Sequence, residues 1–139
     1  MLADAWDGRP SARERMGAAL AHPGVSNPIV LSGDVHSAWA SNVPADPADP
    51  ASAVLAAEFV TSSITSGGDG TDDPRMTATL LSENPNTKFF NKQRGYVRCH
   101  VTDQRWQTDY RVVPYVSRKG AEISTRASFV VEDVARGLA

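Results

Sequence analysis

The sequence predicts an α/β chain that opens with a helix and a buried strand and closes in an antiparallel β-meander. Three observations predict it. Apolar residues recur at helical spacing between Pro10 and His22. The run NPIVLSG places Ile29, Val30 and Leu31 side by side, which suits a short strand covered on both faces. The last third alternates apolar and polar residues between turn-like segments. Helix followed by buried strand is the order of α/β layering.

Taken in order, SARERMGAALAH sets Ala12, Met16, Ala19 and Leu20 on one helical face and Arg13, Glu14 and Arg15 on the wet side. His22-Pro23-Gly24 stops it. NPIVLSG is the first strand. VPADPADPAS is an exposed loop, because Pro44, Pro47 and Pro50 remove backbone donors. AAEFVTSSI is a strand, SGGDGTDDP a loop, and RMTATLLSEN a short helix that stops before Pro85. GYVRCHVT and WQTDYRVVPYV flank TDQR as a hairpin, and RASFVVED follows the KGAE turn as a third strand. There is no internal repeat.

Composition narrows the function classes. With 41% hydrophobic and 22% charged residues, the 139-residue chain has the make-up of a soluble globular domain or a piece of one. A formal charge of -2 offers no general field for nucleic acid, so no nucleic-acid-binding surface is indicated. No segment approaches the roughly 18 consecutive apolar residues of a membrane span. The N-terminal MLADAWDGRPSARERM has no apolar core of a signal peptide, so no export signal is expected in this chain. Cys99 stands alone in an alternating run and reads as a half-buried strand residue.

The residues that could carry chemistry centre on GDVH. A strand ending in Gly-Asp-x-His delivers Asp34 and His36 to the carboxyl end of a sheet, where ligand sites of open α/β folds lie. Asp34 offers a hard oxygen and His36 a borderline nitrogen. Spacing alone leaves two readings open, a metal-ligand pair or a strand-end turn with a capping Asp and a surface His. A full metal centre needs several protein ligands, and no HxH, HExxH or CxxC supplies more. His22, at a helix end, and His100, in a strand, read as structural. TSSITSGGDG could bind an anion through its amides but reads first as a flexible connection. Asp69, Asp72 and Asp73 read as a solvated acidic loop. QRGYV is a glycine turn into a strand, where Arg94 could contact phosphate and reads first as the partner of a carboxylate. Trp6, Trp39 and Trp106 read as packing residues.

Several stretches in this order carry a resemblance: DAWDG (4–8), VLSGDVHSAWASN (30–42), EFVTSSITSGG (58–68), NPNTKFFNKQRGYVRCHVT (84–102), then DYRVV and ASFVVED. Together they resemble the C-terminal part of the PhoD-like alkaline phosphatases of the metallophosphoesterase superfamily, over almost the whole chain. The resemblance implies part of a two-sheet α/β sandwich with flanking helices. It also implies hydrolysis of phosphomonoesters and phosphodiesters at a centre holding iron and calcium. By motif, Asp34 and His36 would be metal ligands, with His36 facing the reactive centre as the catalytic residue.

Two positions depart from the family pattern: Arg9 stands where WDGY often places tyrosine, and Asn86 where NPH places histidine. The family's first metal-binding motifs, rich in Asp and Asn, have no counterpart in residues 1–139. The chain is therefore expected to be the C-terminal portion of such a phosphatase domain, weak or inactive alone. Its expected partners are a phosphate-ester substrate and the N-terminal portion of the same enzyme. Extracellular or periplasmic location is implied by the resemblance. A non-catalytic β-rich module that binds a partner is the alternative.

Overall fold

The computed structural model describes residues 6–133 and 135–138; residues 4 and 5 of the DAWDG stretch lie outside the described residues. The predicted first helix forms as α1, Pro10–Leu20, with Pro10 supplying a fixed φ at the first helical position. It starts from the carbonyl of Arg9, which accepts from Ala12 and Arg13 N–H, and the exposed Arg9 takes no part in a side-chain cap. His22 is structural, as expected: its Nδ1 accepts the Gly24 N–H at 3.1 Å just beyond the helix.

The strands are β1 (Ile29–Ser32), β2 (Ala38–Pro44), β3 (Val54–Val60), β4 (Thr87–Asn91), β5 (Arg94–Val101), β6 (Arg105–Val113) and β7 (Ser124–Glu132). They make a four-stranded sheet in the order β1-β3-β2-β4 and a three-stranded sheet in the order β5-β6-β7. β1 runs parallel to β3, while β2 is antiparallel to both β3 and β4. The second sheet is the expected meander, with β5 and β6 paired from Arg94↔Val113 to Val101↔Trp106. The second helix, α2 (Pro74–Glu83), is capped by Asp73, whose carboxylate accepts from Arg75 and Met76 N–H.

The core lies between the two sheets. Ala38, Ala40, Ala57, Phe59 and Phe89 from the first meet Tyr110 and Val131 from the second, with Phe129 packed against them. Phe89 and Tyr110 rings stand 4.7 Å apart, and Phe129 meets Tyr110 edge-on at 6.1 Å. The Tyr110 hydroxyl donates to the Trp39 carbonyl, which ties the sheets together. Burial pushes that phenol well above its ordinary value, so it stays a donor. On the opposite face Trp39 packs edge-on against Phe90 at 4.5 Å. Trp106 lies against the core and donates to Thr108 Oγ1.

Three expectations need correction. β1 is not covered on both faces: Ile29 and Val30 are half-buried and Leu31 is 53% exposed. The reason is its place at the edge of the sheet, beside a helix that itself buries no residue fully. β2 and β4 are strands that the sequence reading did not assign. Gly95 does not make a turn but lies inside β5, where a Cβ would sit 1.9 Å from the Arg111 carbonyl oxygen.

Asp109, on β6, has a carboxylate that accepts from Gln107, Arg98 and Ser128. The Gln107 amide, then the Arg98 guanidinium and the Ser128 hydroxyl, hold it down to about 2. A carboxyl with a lowered folded pKa stabilises above its unfolded value and loses that contribution as pH falls through its folded one. Asp109→Asn is therefore expected to cost roughly 1–3 kcal/mol at neutral pH. It should also flatten the loss of stability between about pH 4 and pH 2. Urea midpoints of both proteins across that range check it; parallel pH profiles would contradict it.

Candidate functional site

Strand register gathers the candidate residues at one end of the four-stranded sheet. β1 ends at Ser32 opposite Val60, the end of β3, and the Ser32 carbonyl accepts from Thr61 N–H at 2.9 Å. β2 begins there because it runs the other way, pairing Ala38 with Asn91 at the end of β4. Three loops therefore converge: GDVH after β1, TSSITSGG after β3, and NKQRG between β4 and β5. This is the carboxyl end of the parallel pair, where side chains can reach a common ligand.

The GDVH turn has an unusual backbone. Asp34 and His36 both adopt positive φ, 73° and 52°, a conformation that costs most L-residues energy. Local bonds hold the turn. Val35 N–H donates to the Gly33 carbonyl at 3.0 Å, and Ser37 Oγ accepts the Trp39 indole N–H at 2.8 Å. Both Asp34 and His36 are exposed, and neither side chain makes a hydrogen bond or ion pair within the described residues. Non-glycine residues at positive φ cluster at ligand sites, and here the polar groups of both are uncommitted.

TSSITSGGDG is not a flexible connection. Thr71 and Lys92 exchange backbone hydrogen bonds, and Ser63 Oγ donates to the Ser66 carbonyl at 2.6 Å. Asp69 accepts from Val116 N–H, Ser117 N–H and Ser117 Oγ, and those amides hold its carboxyl below the usual range. Asp72 pairs with Arg126 and accepts from Asn91, and Asp73 caps α2. The acidic loop is thus a set of anchors, although Asp72 and Asp73 remain exposed as expected. It is fastened to both sheets and laid beside the site: a Cβ on Gly67 would stand 3.4 Å from His36 Nδ1.

Arg94 also differs from expectation. It is 3% exposed and pairs with no carboxylate among the described residues. Its Nη1 donates instead to the His36 carbonyl at 2.9 Å and to the hydroxyls of Ser62 and Ser63 at 3.3 and 2.9 Å. Asn86 lies at the far end of β4, where its amide donates to the Pro50 carbonyl. At about 3.3 Å per residue it is some 16 Å along the strand from the converging loops. Its departure from the family pattern does not reach Asp34 or His36. Cys99 and His100 lie farther along β5, half-buried and exposed, away from this end.

A family model described as PhoD-like phosphatase matches residues 1–110. The chain belongs to the PhoD-like phosphatase family. Alkaline phosphatase D of Bacillus subtilis (strain 168) is 50% identical to it over 135 residues, 97% of this chain and 23% of that protein. A solved structure of PhoD, also 50% identical, superposes with a TM-score of 0.89 and covers 98% of this chain and 26% of its own. The chain spans about a quarter of the length of the curated relative it matches. The mixed α/β architecture with two sheets and a closing meander is therefore the fold of this part of a PhoD-like phosphatase.

As candidate metal donors, Asp34 and His36 fit in part. They are chemically suitable and free of competing bonds, but no group of three or more His, Cys, Asp and Glu residues converges among the described residues. No helix among them is long and apolar enough to cross a membrane.

Proposed function

We propose that this chain provides the Asp34–His36 share of a metal-dependent site that hydrolyses phosphate esters, and that other residues of a longer PhoD-like phosphatase complete it. The observation that carries the reading is the GDVH turn. Its two potential donors occupy left-handed backbone conformations at the carboxyl end of β1, with no partner among the described residues. Asp34 would hold a hard cation through its carboxylate, and His36 would bind through a neutral imidazole nitrogen facing the reacting phosphoryl group. Bound there, iron and calcium would contribute Lewis-acid activation of that group and a more acidic attacking water. Ser37 braces the start of β2 by accepting the Trp39 indole N–H, while Ser62 and Ser63 accept from Arg94.

The edge of β1 and a groove lined by Met16, Val30, Val43 and Leu55 support an N-terminal portion that packs against this side. Extracellular or periplasmic location is proposed from the family resemblance alone.

In the presence of iron and calcium, the 139-residue chain is expected to hydrolyse p-nitrophenyl phosphate at close to the buffer rate. Its metal binding, followed by calorimetry, should weaken in Asp34→Ala and His36→Ala by at least about tenfold, the scale lost when even an outer-shell partner of a metal site is removed. Robust turnover by the chain alone would sink the divided-site reading. Metal binding that survives both substitutions unchanged would remove the ligand assignment.

A further inference from the structure

Among the described residues, Arg94 is a buried cation without an anion. Its three acceptors there are a carbonyl and two hydroxyls, all neutral, and its buried Nε has no hydrogen-bond partner among those residues. A guanidinium held only as scaffolding is better served by a carboxylate or replaced by an apolar side chain, because desolvating the charge is costly. Two glycines are shaped to it. A Cβ on Gly70 would stand 3.0 Å from its Nε, and one on Gly67 would stand 3.9 Å from its Nη2. The loop that contributes these glycines also lies against the His36 ring.

We propose that Arg94 is the positioning residue for His36. Through Nη1 it pins the His36 carbonyl to the Ser62–Ser63 corner at the end of β3, and so keeps the His36 backbone in its left-handed conformation. The two hydrogens on Nη1 serve three oxygens, so the contact needs the planar, always-charged fork and not merely a positive charge. A lysine ammonium at the end of a shorter, flexible stem has no equivalent fixed geometry. The direction of the imidazole is thereby set from β5, the first strand of the second sheet, and not by GDVH alone. The importance of that direction for metal binding rests on the function proposed above; the conformation of the turn does not.

The test uses the 139-residue chain and two substitutions, Arg94→Lys and Arg94→Met, with Val131→Ala as a core control at the other end of the second sheet. By NMR, unmodified protein should give a strong intraresidue amide-to-Hα Overhauser effect at His36, the signature of positive φ. In Arg94→Lys and Arg94→Met that signal should fall to the level of neighbouring strand residues. A Mn²⁺ titration, read as paramagnetic broadening at Asp34 and His36, should need roughly tenfold more metal in both variants. Val131→Ala, although less stable, should leave both readouts in place. Should Arg94→Met fail to fold, Arg94→Lys, which keeps the cation, decides by itself. A folded Arg94 variant that retains the His36 signal overturns the proposal. If Mn²⁺ broadens neither residue in the unmodified protein, the ligand assignment falls, while the Overhauser measurement still decides the role of Arg94.

Discussion

Phe59→Ala is expected to destabilise the chain by about 3–5 kcal/mol. Phe59 has no exposed surface and sits on β3, the strand that pairs with both β1 and β2. Its ring lies 6.5 Å from those of Tyr110 and Phe129, so it joins the two sheets as well as filling the space between them. Truncation removes apolar burial and leaves a void between two sheets that cannot close without moving paired strands. Because small domains have only about 5–15 kcal/mol in hand, a loss of this size leaves a substantial fraction unfolded at moderate temperature. Thermal and urea unfolding measure it. An unfolding free energy within about 1 kcal/mol of the unmodified protein would show that the sheets can collapse onto the gap, contrary to this packing.

Gly70→Ala is expected to cost roughly 2–4 kcal/mol, combining the left-handed backbone penalty with overpacking. Gly70 has φ +75°, and a Cβ there would stand 2.0 Å from the Lys92 carbonyl oxygen. Since that obstacle is backbone, the Thr71–Lys92 hydrogen-bond pair must separate before the methyl fits. The same methyl would press on the Arg94 side chain, which places the consequence beside His36 as well as in the fold. Unfolding should shift strongly, and amide signals of His36 and Ser63 should move along with those of Thr71 and Lys92. Unfolding midpoints unchanged by the substitution would mean that the loop can step away from β4 without penalty.

Which parts of this architecture were legible in the sequence follows from where each signal lies. The meander was legible because β5, β6 and β7 alternate with large residues on the inner face, as Tyr110 and Phe129 do. β2 escaped because its core-facing residues are the small Ala38 and Ala40, and methyl groups alternate too quietly to announce a strand. β4 escaped because Phe89 and Phe90 are adjacent; they face opposite sides of the sheet, one toward Tyr110 and the other toward Trp39. β1 was placed correctly but its burial was not, since a continuous apolar run signals that a strand is covered without saying what covers it.

The site divides in the same way. Asp34 and His36 stood out through a four-residue motif whose spacing alone left two readings open, and it took several ordered stretches together to point to the family the chain belongs to. The positive φ of both residues, by contrast, is written in no propensity of Asp or His strong enough to read. Arg94 was visible as a residue and misread as a partner for a carboxylate. Its actual acceptors lie 31 to 58 positions earlier in the chain, brought to it by the return of β4 alongside β2. Asp69 was likewise taken for solvated because its partners at 116 and 117 come 47 and 48 residues later.

Near the other end of the chain, Arg136 donates to the carbonyls of Leu20, Val25 and Leu55, and the Leu138 amide donates to Asn42. The bond to Leu20 spans 116 positions and adds to the local bonds by which the Ala21 and His22 amides close the end of α1. During synthesis, at roughly 5–20 residues per second, α1 and β1 emerge several seconds before Arg136 exists. Until then the Leu20 carbonyl lacks this donor, and only the local amides of Ala21 and His22 close the helix end. The clasp therefore closes only when the residues after β7 fold back across the first sheet, which makes the end of α1 depend on chain far from it in sequence.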